Sequence, residues 1–194
     1  MIESSLSTFA QFKYDLMKEE KTTDWNAWKH PEESLTLTGY RSLHELLEDQ
    51  GTNILFAGVG NVLRKDDGVG VFIAKQITGG NKISSLVVEM GIENYIGKIN
   101  SLSPDILVIV DACDFKELPG FGKLVLAEEM MELTTNTHNI SLAKLSELFN
   151  MPVYILGIQP ADISFGEDMC REVIETGWKF IKMINTASIL SKNI

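Results

Sequence analysis

Cysteine is nearly missing from this chain of 194 residues, which has only Cys113 and Cys170. Two are too few for a disulfide scaffold, and a reducing, cytoplasmic setting is the expectation. Basic residues are scarce as well. Seventeen Lys and Arg stand against 27 Asp and Glu, a formal net charge of -10. That balance argues against a nucleic-acid partner and against an anionic membrane surface, since both need a basic face. Long apolar runs are absent: no stretch approaches the ~18 residues of a membrane span, so no membrane insertion is expected. Residues 1–7 show no basic region followed by an apolar core, so no signal peptide is read there. Internal repeats and low-complexity segments are also missing. What remains, 44% hydrophobic and 23% charged, is ordinary for a globular domain with its own core.

Short apolar runs separated by helical patterns make up most of the chain beyond residue 52. Ile54–Ala57, Leu86–Glu89, Ile106–Val110, Lys123–Leu126 and Val153–Ile158 read as five strands. Ile92–Ile99, a segment with Leu142, Leu145, Leu148 and Phe149, and a last segment with Val173, Ile174, Trp178, Ile181 and Ile184 read as helices. This alternation predicts an α/β fold: a twisted, mainly parallel five-stranded sheet with helices on both faces, in three layers. The third strand is apolar at every position and should be buried on both sides. The connection through Pro119-Gly120 is too short for a crossover helix, so the fourth strand should be an antiparallel edge strand. Residues 53–194 are read as this domain and residues 1–52 as a partly helical amino-terminal extension. In the extension, Leu6, Phe9, Phe12, Leu16 and Met17 recur at helical spacing. Ser42-Leu43-His44-Glu45 forms a capping box. His30 and His44 are read as surface or packing residues. Every candidate catalytic residue lies beyond the extension, which is expected to be dispensable for chemistry.

The organising stretch is Gly58-Val59-Gly60-Asn61, followed by Asp66-Asp67-Gly68-Val69-Gly70. It sits between the first strand and a helix, where glycines allow a tight turn and Asp66 can cap the helix that follows. It is not a dinucleotide loop. Leu63 stands where the third glycine of that fingerprint belongs, and two adjacent acids oppose a pyrophosphate. No nucleotide is therefore expected, and a nucleotide-binding regulator is disfavoured. In an open α/β sheet ligands bind beyond the carboxyl ends of the strands, where strand order reverses. Asp67 follows the first strand, Asp111 ends the third, and His138 lies in the polar loop Thr134–Asn139. Topology brings these three towards one crevice. Two carboxylates and an imidazole suit nickel, zinc or iron. Alternatively, two close carboxylates can activate a water, one holding a proton for the other. The plainer readings are that Asp66 and Asp67 only cap, that Asp111 only accepts amide bonds in a turn, and that His138 belongs to a helix cap. Neither cysteine suits a nucleophile, because Asp111 and Asp114 flank Cys113 and Cys170 falls at the start of the last helix.

These residues resemble the hydrogenase maturation proteases. Gly58-Val59-Gly60-Asn61 with Asp66-Asp67-Gly68-Val69-Gly70 is similar to that family's glycine–acid signature, and Val108-Ile109-Val110-Asp111-Ala112 to its second acidic motif. Thr134–Asn139 and Leu156-Gly157-Ile158-Gln159-Pro160 look like the branch that matures the formate-hydrogenlyase hydrogenase. The likeness covers roughly residues 53–185, and its several motifs keep their order. It implies an endopeptidase that removes the carboxyl-terminal tail of a nickel–iron hydrogenase large-subunit precursor. It also implies that Asp67, Asp111 and His138 bind nickel carried by that precursor, with Asp67 and Asp111 as the candidate catalytic acids. A checkpoint chaperone that holds the nickel-loaded precursor without cutting it is the alternative. One departure is Glu89-Met90-Gly91, where the family has an acid and two glycines.

Overall fold

Side-chain alternation along the strands sets the architecture. In β1 (Ile54–Val59) the side chains of Ile54 and Phe56 enter one core, while those of Leu55, Ala57 and Val59 enter another. A strand apolar on both sides must be covered on both sides. The computed structural model describes residues 42–49, 51–89, 91–130 and 144–190. β1 is flanked in parallel by β2 (Ile83–Glu89) and β3 (Ile106–Ala112). Beyond β3 lie β5 (Val153–Ile158), parallel, and β4 (Gly122–Leu126), antiparallel at the edge. The order is β2-β1-β3-β5-β4, so strand order reverses at β1 and β3.

Helices close both faces. On one side Leu43 of α1 (residues 42–48), Val69 and Ile73 of α2 (Val69–Gln76), and Val173, Phe180, Ile181 and Ile184 of α4 (Arg171–Leu190) enter a single cluster. That cluster also holds Ile54, Phe56, Val108, Val110, Leu156 and Ile158. On the other side Ile99 of α3 (Ile96–Leu102), Met130 and Phe149 pack with Leu55, Ala57, Leu107, Ile109 and Ile155. The three-layer α/β/α fold and the antiparallel edge strand are as the sequence implies. Among the described residues no helix is long and apolar enough to cross a membrane.

Some local expectations change. β2 begins at Ile83 rather than Leu86, because Ile83 is buried and pairs with Ile54. The segment expected as one helix over 92–99 starts as a 3-10 turn, Ile92–Tyr95, and continues as α3. Helical backbone is described only at 144–146 in the next segment, so the spacing lapses and Leu148 is 53% exposed while Phe149 is buried. His44 stands beside Glu48, with 3.4 Å between Nδ1 and Oε1, as suits a surface histidine. Residues 1–41, Met90 and 131–143 lie outside the described residues. With them lie the periodicity at Leu6–Met17, His30, His138 and the Thr134–Asn139 loop.

The chain divides into two compact units, Met1–Ser34 and Leu35–Ile194, and all described residues belong to the second. α1 falls on the extension side of the expected boundary, yet Leu43 is fully buried in the core, with Leu46 and Leu47 packed against it. Replacing a buried leucine by alanine typically costs ~2–5 kcal/mol. A chain beginning at residue 49, or the Leu43→Ala variant, should therefore be less stable than a chain beginning at residue 42, by at least that amount. Thermal and denaturant unfolding of the three proteins checks the expectation.

Candidate active site at the switch point

The site is built where β1 and β3 end side by side. Gly58 pairs with Val110, so Asp111 stands level with Val59, and across β5 it faces Gly157. Asp111 is buried (1% exposed) and its side chain shares the parity of Leu107 and Ile109. Its Oδ1 accepts the Ala112 N–H at 2.9 Å. Burial first, and then the negative charge of Asp67, push the Asp111 carboxyl up to about 8. The two acids named from sequence are thus close enough to feel one another.

Asp67 arrives by a different route. After β1 the chain turns at Gly60, whose φ of +131° favours glycine and whose N–H bonds the Glu89 carbonyl at 2.8 Å. A Cβ at Gly60 would lie 1.8 Å from the Asp67 carbonyl oxygen, so no side chain fits. Lys65–Gly68 then forms a 3-10 turn that hands over to α2. The Asp67 carboxylate is half-buried and its Oδ2 accepts the Asn61 N–H at 3.1 Å. Gly70 lets the start of α2 press onto the sheet: a Cβ there would sit 2.0 Å from the Val110 carbonyl and 2.3 Å from that of Val59. The glycine–acid signature is therefore a device for close approach. It sets the loop bearing Asp67 directly over the strand end bearing Asp111.

Asp66 does not cap the following helix as its position suggests. No side chain caps α2, because the 3-10 turn intervenes and carries Asp66 the other way. Its buried carboxylate instead accepts N–H groups from Ala161 (2.8 Å), Asp162 (3.0 Å) and Cys170 (2.6 Å). Cys170 immediately precedes α4, so Asp66 caps that distant helix. Lys65 pairs with Asp162, and Leu63 and Lys65 exchange backbone bonds with Gly166. The two loops together expose Val62, Leu63, Ile163 and Phe165.

Gln159 was legible only as part of a motif, and its role comes from the structure. Nearly buried at 7% exposure, it accepts the Phe115 N–H at 2.7 Å and the Glu117 N–H at 3.3 Å through Oε1. Its Nε2 donates to Asp114 Oδ1 at 3.3 Å. It holds the loop that leaves β3 just beyond Asp111. A polar side chain closing an apolar strand was the available signal. Glu89 ends β2 in left-handed backbone, φ +58°, beside the end of β1. Both cysteines are poor nucleophiles: burial and Asp111 push Cys113 well up, and burial with the Asp66 carboxylate lifts Cys170 to about 11.

Among the described residues no group of three metal-ligating side chains is found; His138, the third expected ligand, lies outside them. No family model matches the chain. It is 32% identical over 143 residues to the hydrogenase 3 maturation protease of Escherichia coli K12, covering 66% of this chain and 91% of that protein. The chain belongs to the hydrogenase maturation protease family. It is accordingly a peptidase, a hydrolase of peptide bonds. Its fold matches the nickel–iron hydrogenase maturation protease HycI of Thermococcus kodakarensis with a TM-score of 0.65 at 23% identity, over 76% of this chain and 99% of that one. It also matches the solution structure of the endopeptidase HycI of Escherichia coli, with a TM-score of 0.58 at 26% identity, over 70% and 90% of the two chains. The Escherichia coli relatives, named for hydrogenase 3 and as the endopeptidase HycI, support the branch expected from the sequence.

Proposed function

We propose that this protease removes the carboxyl-terminal tail of a nickel–iron hydrogenase large-subunit precursor in the cytoplasm, once nickel has been inserted into that precursor. The observation that carries the reading is the convergence of the loop bearing Asp67 on the end of β3 bearing Asp111 at the sheet's switch point, in a chain whose relatives are named maturation proteases. At neutral pH the buried Asp111 holds a proton beside the negative charge of Asp67. Such a pair offers an acid and a base at one place, the requirement for aspartic-type hydrolysis. The same oxygens suit a divalent cation presented by the precursor. Carboxylates with one imidazole, here assigned to His138, leave coordination positions for the precursor's own ligands. A cation between the acids would draw the proton off Asp111, so its binding should tighten as pH rises.

The exposed apolar side chains of Val62, Leu63, Ile163 and Phe165, on the two loops that flank the Asp66–Asp67 turn, fit a protein substrate rather than a small molecule. The test is the intact mass of purified, nickel-loaded precursor after incubation with the protease. Loss of a carboxyl-terminal peptide is expected. A stable complex with the precursor's mass unchanged would refute cleavage and leave the non-cleaving checkpoint chaperone.

A further inference from the structure

Two adjacent acids of this chain point to opposite sides, and the proposed function uses only one of them. Asp66 is 1% exposed, and its carboxylate is held by three backbone N–H groups from residues 161, 162 and 170. Its own N–H donates to the Asp162 carbonyl at 3.2 Å. Burying a carboxylate is costly unless such bonds replace its water, and charge-assisted bonds are the stronger kind. The third donor, Cys170, lies at the amino end of the 20-residue α4, where the helix dipole also favours a negative charge. Four bonds thus lock the residue just before Asp67 to a long helix and to the loop at 161–166.

We propose that Asp66 is the positioning residue of the site: a buried strut that fixes the 3-10 turn so that Asp67 is held against Asp111. Successive side chains of a 3-10 turn diverge by about a third of a turn. With Asp66 anchored on the α4 side, Asp67 is directed to the other side, where its Oδ2 takes the Asn61 N–H. The strut needs an acceptor at both oxygens. Asparagine offers an N–H₂ where Cys170 or Ala161 and Asp162 already donate, and one contact becomes donor against donor.

This inference rests on the proposed protease reaction, and its test separates the two. With nickel-loaded precursor, and at a temperature where circular dichroism shows the variant fully folded, Asp66→Asn should lower kcat about 10–100-fold and leave KM within about threefold, since a displacement near 1 Å is enough for such a loss. The exposed tie between the same loops serves as control: Lys65→Met should leave kcat within about twofold, as exposed ion pairs contribute little. If Asp66→Asn does not fold, Cys170→Pro removes one donor at the residue before α4, outside the helix interior where proline breaks hydrogen bonds, and should lower kcat about 3–10-fold. Independently of cleavage, the Asn61 amide, which bonds Asp67, should exchange its hydrogen at least about tenfold faster in either variant. Wild-type kcat in a folded variant, a loss confined to KM, or unchanged Asn61 protection would each overturn the inference. A wild-type protein that leaves the precursor uncut overturns the proposed function instead, and the Asn61 exchange still decides the role of Asp66.

Discussion

Asp111→Asn should produce a protein that is more stable than the wild type at pH 7 and unable to process its precursor. Asp111 is buried, and its carboxyl is pushed up to about 8 by burial and by Asp67, whereas an aspartate in the unfolded chain titrates near the ordinary value of 3.8. Between those limits the folded state keeps a proton that the unfolded state has released. For an acid with a raised folded value, the stabilising contribution is complete below about pH 4 and is lost as pH climbs towards 8. The slope approaches ~1.4 kcal/mol per pH unit. Asparagine matches the shape, retains an oxygen for the Ala112 N–H, and has no proton to lose. The variant should therefore gain about 2–4 kcal/mol over the wild type at pH 7 and almost nothing at pH 4. Its kcat should fall at least about 100-fold, because the amide can neither hold nor yield that proton and is a weaker cation ligand than a carboxylate. Denaturant unfolding across pH 4–8, alongside precursor cleavage, reads both effects. Equal stability of the two proteins at both pH values would contradict the account of Asp111.

Asp67→Asn should be equally damaging to cleavage and nearly silent in stability at low pH. The side chain is half-buried, and the amide oxygen can still accept the Asn61 N–H, so the loop should hold. What disappears is a negative charge beside Asp111. Cleavage should drop by about 100-fold or more, as expected when one of two groups acting as a unit is removed. The second consequence is at Asp111: without Asp67 its carboxyl should titrate at lower pH, and the decline of stability with pH should end earlier. The carboxyl carbon resonance of Asp111, followed by NMR in both proteins, checks this. An unmoved Asp111 titration would mean that the two acids do not share a site.

The sequence made much of this visible, for identifiable reasons. Five apolar runs with helical patterns between them allow few folds, and the short link through Pro119-Gly120 forces β4 to an antiparallel edge. Topology alone takes the ends of β1 and β3, and with them Asp67 and Asp111, to the same crevice, which is why sequence can propose both acids. Asp66 was misread because capping is a local rule. Nothing in neighbouring residues signals that three N–H groups about a hundred positions away converge on its carboxylate. Gln159 was underrated for the same reason, since its partners at 114–117 precede it by more than forty residues. The burial of Leu43 is not legible in the sequence, because the polar stretch from Glu19 to Thr38 sets this residue with the extension.

The central claim is that nickel carried by the precursor switches cleavage on. Two carboxylates and one histidine lack the thiolates that usually hold a resident metal tightly. Such a site should bind free metal weakly and read a metal that arrives with its partner. The decisive measurement uses protease stripped with chelator and purified large-subunit precursor with and without nickel, followed by intact mass over time. The account predicts rapid loss of the carboxyl-terminal tail from the nickel-loaded precursor, none from the nickel-free one, and none from either with His138→Ala. Cleavage of the nickel-free precursor at a similar rate would contradict it.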